Sequence, residues 1–294
     1  MSAKTIAFLF PGQGAVPKSL PQRTPWIDDL LARAERAGIP LPQWIAEEDE
    51  SHLMRTSAAQ PALFIDSIAR ERRLREAGIL PSVVAGHSLG EYAALTSAGM
   101  LTPSDALSLV LERGRLMDGI DGGMVAVVKL SIVDVEAVCR EVGSDIGIAN
   151  LNSPAQVVVS GTKARLERVA ALVKERGGRA IPLKVSGPFH SPLMRPAETA
   201  LAPRLREATF HPPHVPVVSA VTGTVVEDVE SLRSLMLRQI TSPVRWIDVV
   251  RALEDFGVTL AVEVGDGATL TGLGPRISER IRFVTYEEVL DGEL

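Results

Sequence analysis

Apolar and polar positions along this chain alternate between short unbroken hydrophobic runs and longer stretches with helical spacing. Thr5 to Phe10 (TIAFLF) is continuously apolar and closed by Pro11-Gly12-Gln13-Gly14, the pattern of a strand buried on both faces and so of a central strand in a parallel sheet. From Val16 to Ser57 the pattern is weak, with a faint helical spacing over Trp26 to Ala37, and no site is assigned there. Pro61 to Ala77 predicts a helix ended by Gly78, with Arg70, Arg72, Arg73 and Arg75 on a solvated side. Ser82 to Ala85 is a second short buried strand, running directly into Gly86-His87-Ser88-Leu89-Gly90 and then a helix from Glu91 to Gly99. Thr102 caps the next helix, with Pro103 at its first position, and that helix runs to Met117 with Arg113 near its end.

After Met117 the order changes. Strand (Met124 to Val128), helix (Val133 to Val142), strand (Ile146 to Asn150), strand (Gln156 to Ser160), helix (Ala164 to Arg176) and strand (Ala180 to Val185) follow one another. This is the split βαβ, or ferredoxin-like, arrangement. The predicted fold is therefore α/β: an α/β-hydrolase-like large subdomain with a mainly parallel sheet (1–123 and 187–294) and an inserted ferredoxin-like small subdomain (124–186). The chain re-enters the large part through Gly187-Pro188-Phe189-His190, and later strands are expected at Val215 to Ala220 and Thr259 to Val264.

Composition narrows the function classes. A chain of 294 residues, 46% hydrophobic and 23% charged, can bury a large core without cross-links. A net charge of −5 offers no global field for nucleic acid or an anionic membrane. Cys139 is the single cysteine, which excludes an internal disulfide and a cysteine zinc site and fits a reducing cytoplasm. Ile6 to Phe10 is too short for a signal-peptide core or a membrane span. The expectation is a cytoplasmic monomer with no bound metal.

The chemistry centres on Gly86-His87-Ser88-Leu89-Gly90, which matches G-x-S-x-G between a strand and a helix. Flanking glycines let the backbone bend sharply and expose a nucleophilic hydroxyl at a helix N-terminus, where negative charge is favoured. Such a serine needs a base, and there are five histidines. His52 lies in the weakly patterned region, His87 is beside the serine, and His211 and His214 lie among prolines, all read as structural. His190 follows a strand in the loop that returns to the main body, and is the candidate. No clear acid stands between Ser88 and His190, since Asp134, Glu136, Asp145 and Glu175 belong to the small subdomain. The triad is incomplete: a main-chain carbonyl holds the imidazole, or the chain belongs to another serine-enzyme class. The glycine turn after the first strand is not a dinucleotide fingerprint, because G-x-G-x-x-G needs a glycine where Pro17 stands. It can instead bring a backbone N–H beside Ser88 as half of an oxyanion hole.

Together these residues resemble the malonyl-CoA:acyl carrier protein transacylases and the acyltransferase domains of polyketide and fatty acid synthases. The blocks that carry the resemblance run in family order over nearly the whole chain: FLFPGQG from Phe8, Gln60-Pro61-Ala62, GHSLGEYAAL from Gly86, ERGRLM from Glu112, ANLNSPAQVVVSG from Ala149, GPFHSPLM from Gly187, SPVRW from Ser242 and EVGDGATLTGL from Glu263. Few family residues are recognisable between Gly14 and Gln60. The resemblance implies Ser88 as nucleophile, His190 as general base, the Gln239 carbonyl orienting that histidine, and backbone N–H groups of Gln13 and Leu89 as the oxyanion hole. It implies Arg113 as the group that grips a malonyl carboxylate, with Phe189 and Met117 also lining the substrate site. A planar guanidinium suits that task because it meets a carboxylate bidentately.

The activity implied is ping-pong transfer of malonyl from malonyl-CoA to the phosphopantetheine thiol of an acyl carrier protein, whether of fatty acid synthesis, polyketide synthesis or a malonate decarboxylase system. Coenzyme A thioester is a substrate, and no cofactor is implied. Phe189 and Leu89 resemble the malonyl-selective pattern, filling the space that an α-methyl needs. Arg70 to Arg75 and Arg179 to Lys184 are the candidate patches for an acidic carrier. An acyl hydrolase of the same fold and a catalytically silent docking module are the rival readings. Arg113 argues against the first, and retention of Ser88, His190, Gln239 and Arg113 together against the second.

Overall fold

In the computed structural model, which describes residues 4–14 and 21–292, the strands are β1 (Ile6–Phe10), β2 (Val83–Gly86), β3 (Gly123–Val128), β4 (Ile146–Ser153), β5 (Gln156–Gly161), β6 (Arg179–Pro182), β7 (Val217–Ser219), β8 (Thr224–Val226), β9 (Leu260–Glu263) and β10 (Arg282–Thr285). They form two sheets. The larger has the order β10-β9-β1-β2-β7-β8, parallel except for the β7–β8 hairpin, with β1 inside it. Alternate residues explain why β1 and β2 read as unbroken apolar runs. Phe8, Phe10 and Val84 pack into one core, and Ala7, Leu9, Val83 and Ala85 into another on the opposite face.

Register then positions the site. Phe10 pairs with Gly86, so the turns that follow β1 and β2 leave the sheet side by side at its C-terminal edge, where α/β sheets place their ligands. His87 N donates to the Phe10 carbonyl at 2.9 Å, tying one turn to the other.

The smaller sheet has the order β4-β5-β3-β6 and is antiparallel throughout. Its two faces do different work. Val125, Val127, Val157 and Val159 pack under the helices Ile132–Val142 and Lys163–Glu175. Met124, Ala126 and Val158 point the other way and pack with Met117, Phe189 and Ile240 of the large body. Reciprocal bonds from Leu151 N to Val244 O at 2.9 Å and from Val244 N to Ala149 O at 2.8 Å fasten this sheet to the body.

Several expected boundaries move. The helix expected from Pro61 begins at Thr56, and its first turn lies against Gly114, where an added Cβ would stand 3.1 Å from Ser57 Cα. The arginine face of that helix is not simply solvated. Arg70 is held by Asp66 at 2.8 Å and by Glu287, and Arg75 by Glu71 and the Ser97 carbonyl. β4 extends to Ser153, whereas β6 stops at Pro182 and β7 is confined to Val217–Ser219. The strands β8 and β10, of 3 and 4 residues, are too short to signal themselves. Pro17 and the segment 15–20 lie outside the described residues.

Candidate active site

The turn from β2 into the helix Gly90–Ser97 is as tight as its glycines permit. A Cβ on Gly86 would stand 2.1 Å from the Gly90 carbonyl carbon, and one on Gly90 would stand 2.0 Å from the Phe10 carbonyl oxygen. Between them Ser88 has φ 54°, in the left-handed region, which turns its hydroxyl out over the end of the sheet. His190 also adopts a left-handed backbone, φ 57°. Its N–H donates to Ile240 O at 3.2 Å, and Ser191 Oγ closes the turn onto Pro188 O at 2.6 Å.

These two strained positions bring the side chains together. Ser88 Oγ lies 2.7 Å from His190 Nε2. His190 Nδ1 lies 3.1 Å from Gln239 O and 2.9 Å from Ser242 O. Carbonyl oxygens only accept, so Nδ1 carries the hydrogen and Nε2 presents a lone pair to the serine hydroxyl. This resolves the missing acid. Two main-chain carbonyls take its place, and the Ser242 carbonyl is one that sequence reasoning did not find. Burial, followed by the charges of Arg113 and His87, lowers the His190 pKa to about 3.

Arg113 comes from the helix Pro103–Met117 and is 1% exposed. Its Nη2 donates to Ser88 Oγ at 3.2 Å and to Gln239 Oε1 at 3.2 Å, while its Nε has no hydrogen-bond partner among the described residues. Burial pushes its pKa down. A buried guanidinium with an unused donor, beside a serine–histidine pair, has the chemistry to receive an anion.

These groups line a cavity of about 300 Å³ between the two sheets. Gln13 and Leu89 stand on the large-body side, with Met117 and Phe189 beside Arg113, and Lys184 lies on the small-sheet side. Gln60 Nε2 reaches Met117 Sδ at 3.7 Å. His87 also lines the cavity, its Nε2 3.1 Å from Asn152 Oδ1. The other histidines do not: His52 pairs with Asp49 and stacks on Trp44, and the His211 and His214 N–H groups donate to Met100 O and Ala98 O.

Comparison with known proteins identifies the family. Residues 7–276 match the acyl transferase domain family. The chain belongs to that family. A malonyl CoA-acyl carrier protein transacylase of Bacillus subtilis is 38% identical over 296 residues, covering 96% of this chain and 93% of the relative. The crystal structure of an acyl-carrier-protein S-malonyltransferase from Burkholderia pseudomallei superposes with a TM-score of 0.89 at 36% identity, covering 98% of this chain and 99% of that one. A malonyl-transacylase in complex with its type II polyketide acyl carrier protein matches at 35% identity and a TM-score of 0.89, over 97% of this chain and 99% of that one.

Within this acyl transferase a further site residue, besides Ser242, escaped the sequence. Glu91 is 2% exposed and accepts from Gln239 Nε2 at 2.7 Å. The available signal was a lone carboxylate three residues after the serine, followed by the apolar run Tyr92 to Leu95. That placement suggested a helix start, and only the packing of β7 and the Gln239 turn shows it to be enclosed.

Proposed function

We propose that the chain transfers a malonyl group from malonyl-CoA to the phosphopantetheine thiol of an acyl carrier protein, through an ester on Ser88. The observation that carries this reading is the enclosed guanidinium of Arg113 within 3.2 Å of Ser88 Oγ. A plain acyl group gives such a charge no partner, whereas a malonyl thioester presents a carboxylate two carbons from the carbonyl to be attacked.

His190 Nε2 takes the proton as Ser88 Oγ attacks the thioester carbonyl. Charge collects on the carbonyl oxygen, and the backbone N–H groups of Gln13 and Leu89 are assigned to it, with the N-terminus of the Gly90–Ser97 helix adding its dipole. The tetrahedral intermediate collapses, the C–S bond breaks, and His190 returns the proton to the departing coenzyme A thiolate. The carrier thiol then enters, His190 accepts its proton, the sulfur attacks the Ser88 ester, and the C–Oγ bond breaks as His190 returns the proton to Ser88 Oγ, giving malonyl carrier protein and free enzyme. Gln239 O and Ser242 O hold the imidazole in the one tautomer that serves both halves. No cofactor takes part.

Phe189 and Leu89, 6% and 2% exposed, occupy the space that a branched α-carbon needs. Met117 completes the wall beside Arg113. The carrier approaches as a partner of a cytoplasmic monomer. Of the two basic patches, Arg179 to Lys184 fits better, since Lys184 lines the cavity while Arg70 and Arg75 are bound to Asp66 and Glu71. Fatty acid or polyketide carriers are the acceptors of choice, in keeping with the relative described with a polyketide carrier.

The test is intact-mass measurement after brief mixing with malonyl-CoA, followed by addition of carrier protein. A malonyl adduct lost on Ser88→Ala and passed to the carrier thiol supports the assignment. Release of that adduct to water faster than to the carrier defeats it in favour of a hydrolase.

A further inference from the structure

Gln239 does more than lend a carbonyl to His190. Its side-chain Nε2 donates to the Ser88 carbonyl oxygen at 2.8 Å and to Glu91 Oε2 at 2.7 Å, and its Oε1 accepts from Arg113 Nη2 at 3.2 Å. One amide therefore touches the backbone of the nucleophile, the anion-receiving guanidinium and a buried carboxylate. Its orientation is forced, because the Ser88 carbonyl and an ionised Glu91 only accept. The NH₂ must face them, which leaves the amide oxygen for Arg113.

Glu91 is itself anchored. Its Oε1 accepts from Ser219 Oγ at 2.9 Å and from Ala220 N at 2.8 Å, at the end of β7. Its backbone N–H donates to the Ser88 carbonyl at 3.1 Å, the same oxygen that Gln239 holds. The carboxylate thus links the main sheet, the serine turn and the Gln239 turn. Arg113 does not meet it directly; the positive and negative charges are separated by the width of one amide. Burial raises the Glu91 pKa, opposed by the bonds from Gln239, Ala220 and Ser219 and by the Arg113 charge.

We propose that Glu91 is a positioning residue, pinning the Gln239 amide to the end of β7 and so fixing the Arg113 fork and the left-handed turn at Ser88 relative to His190. This rests on the malonyl-transfer reading. Glu91→Gln is nearly isosteric but breaks the order of donors. If the new NH₂ faces Gln239, two donors oppose each other, and flipping Gln239 turns its NH₂ against the guanidinium. If the new NH₂ faces β7 instead, it opposes the Ala220 N–H. Every arrangement leaves a buried donor unmet and loosens Gln239.

The experiment is a double-mutant cycle of E91Q and Q239A, the latter keeping the carbonyl that holds His190, with rates of Ser88 acylation by malonyl-CoA and by acetyl-CoA. Each single variant lowers kcat/KM for malonyl-CoA by about tenfold or more and lowers the malonyl-to-acetyl ratio. The double variant falls no more than about twofold below the worse single, because both act through one side chain. A merely structural Glu91 slows both donors alike and multiplies with Q239A; that result overturns the inference, as does wild-type malonylation by E91Q. Should E91Q fail to fold, E91D, which keeps the charge but is one methylene too short to reach Gln239, is read by the same criteria. Absence of any adduct on the unaltered protein overturns the malonyl reading and this inference together, whereas a normal wild-type adduct with an unaffected E91Q and E91D overturns only the inference.

Discussion

Replacing Arg113 by alanine separates recognition of the carboxylate from the chemistry at Ser88. In the free protein the guanidinium is 1% exposed and has already lost its water. Its bonds are to a hydroxyl and an amide at 3.2 Å each, and Nε has no partner among the described residues. The desolvation penalty is thus carried before substrate arrives, and a malonyl carboxylate gains a nearly unscreened partner. Losing one side of such a buried pair costs about 2 to 5 kcal/mol, which at about 1.4 kcal/mol per tenfold is about 25- to 4,000-fold in kcat/KM for malonyl-CoA. Acetyl-CoA has no carboxylate to lose. Its rate changes only through the weaker Nη2 to Ser88 Oγ contact, so the malonyl-to-acetyl ratio collapses. Arg113→Lys keeps the charge without the fork and falls between the two. The assay is rapid-quench formation of acyl-Ser88 read by intact mass with each donor, alongside a thermal melt, because truncation leaves Gln239 Oε1 unmet at a cost of about 1 to 3 kcal/mol in stability. An equal loss with both donors refutes the carboxylate role of Arg113.

Three further outcomes are expected. Ser88→Ala abolishes the acyl adduct and lowers turnover by about a million-fold, as in other serine enzymes whose nucleophile is removed; residual adduct on intact mass places the nucleophile elsewhere. Methylmalonyl-CoA acylates Ser88 more slowly by about 1 to 3 kcal/mol, and Phe189→Ser narrows that gap; equal kcat/KM for the two thioesters removes the steric argument. A His190 pKa of about 3, lowered first by burial and then by Arg113 and His87, keeps the base unprotonated in the free enzyme. The kcat/KM profile for acylation is therefore flat from about pH 7 down to about pH 5. Stability follows the same depression. The unfolded chain binds the histidine proton below about 6.5 and the folded chain resists it, so folding stability contributed by His190 is full above that pH and declines as pH falls toward the folded value. An acid limb near 6.5 in stopped-flow acylation contradicts the buried, neutral imidazole.

How much of this was legible beforehand follows from the range of the interactions involved. The elbow at Ser88 was readable because its causes are local: an apolar run buried on both faces, a glycine at 86 whose Cβ would strike the Gly90 carbonyl carbon, and a helix start. The helix carrying Arg113 was readable from Thr102, Pro103 and its apolar spacing, and the small antiparallel sheet from its strand and helix order. The start at Thr56 was not, because no side chain caps that helix end to mark it in the sequence.

The sequence by itself determined where the chain turns sharply, which runs are buried, and which residue types can carry an acyl group and meet a carboxylate, since backbone sterics and hydrophobic period act within a few residues. Tertiary structure alone decided what touches what. His190 reaches Ser88 across 102 residues and Gln239 reaches the Ser88 carbonyl across 151. Two carbonyls, of Gln239 and Ser242, hold the imidazole because the 239–242 turn packs against His190. Glu91 became part of the site because β7 and Gln239 enclose it, and no local pattern encodes burial by segments that distant.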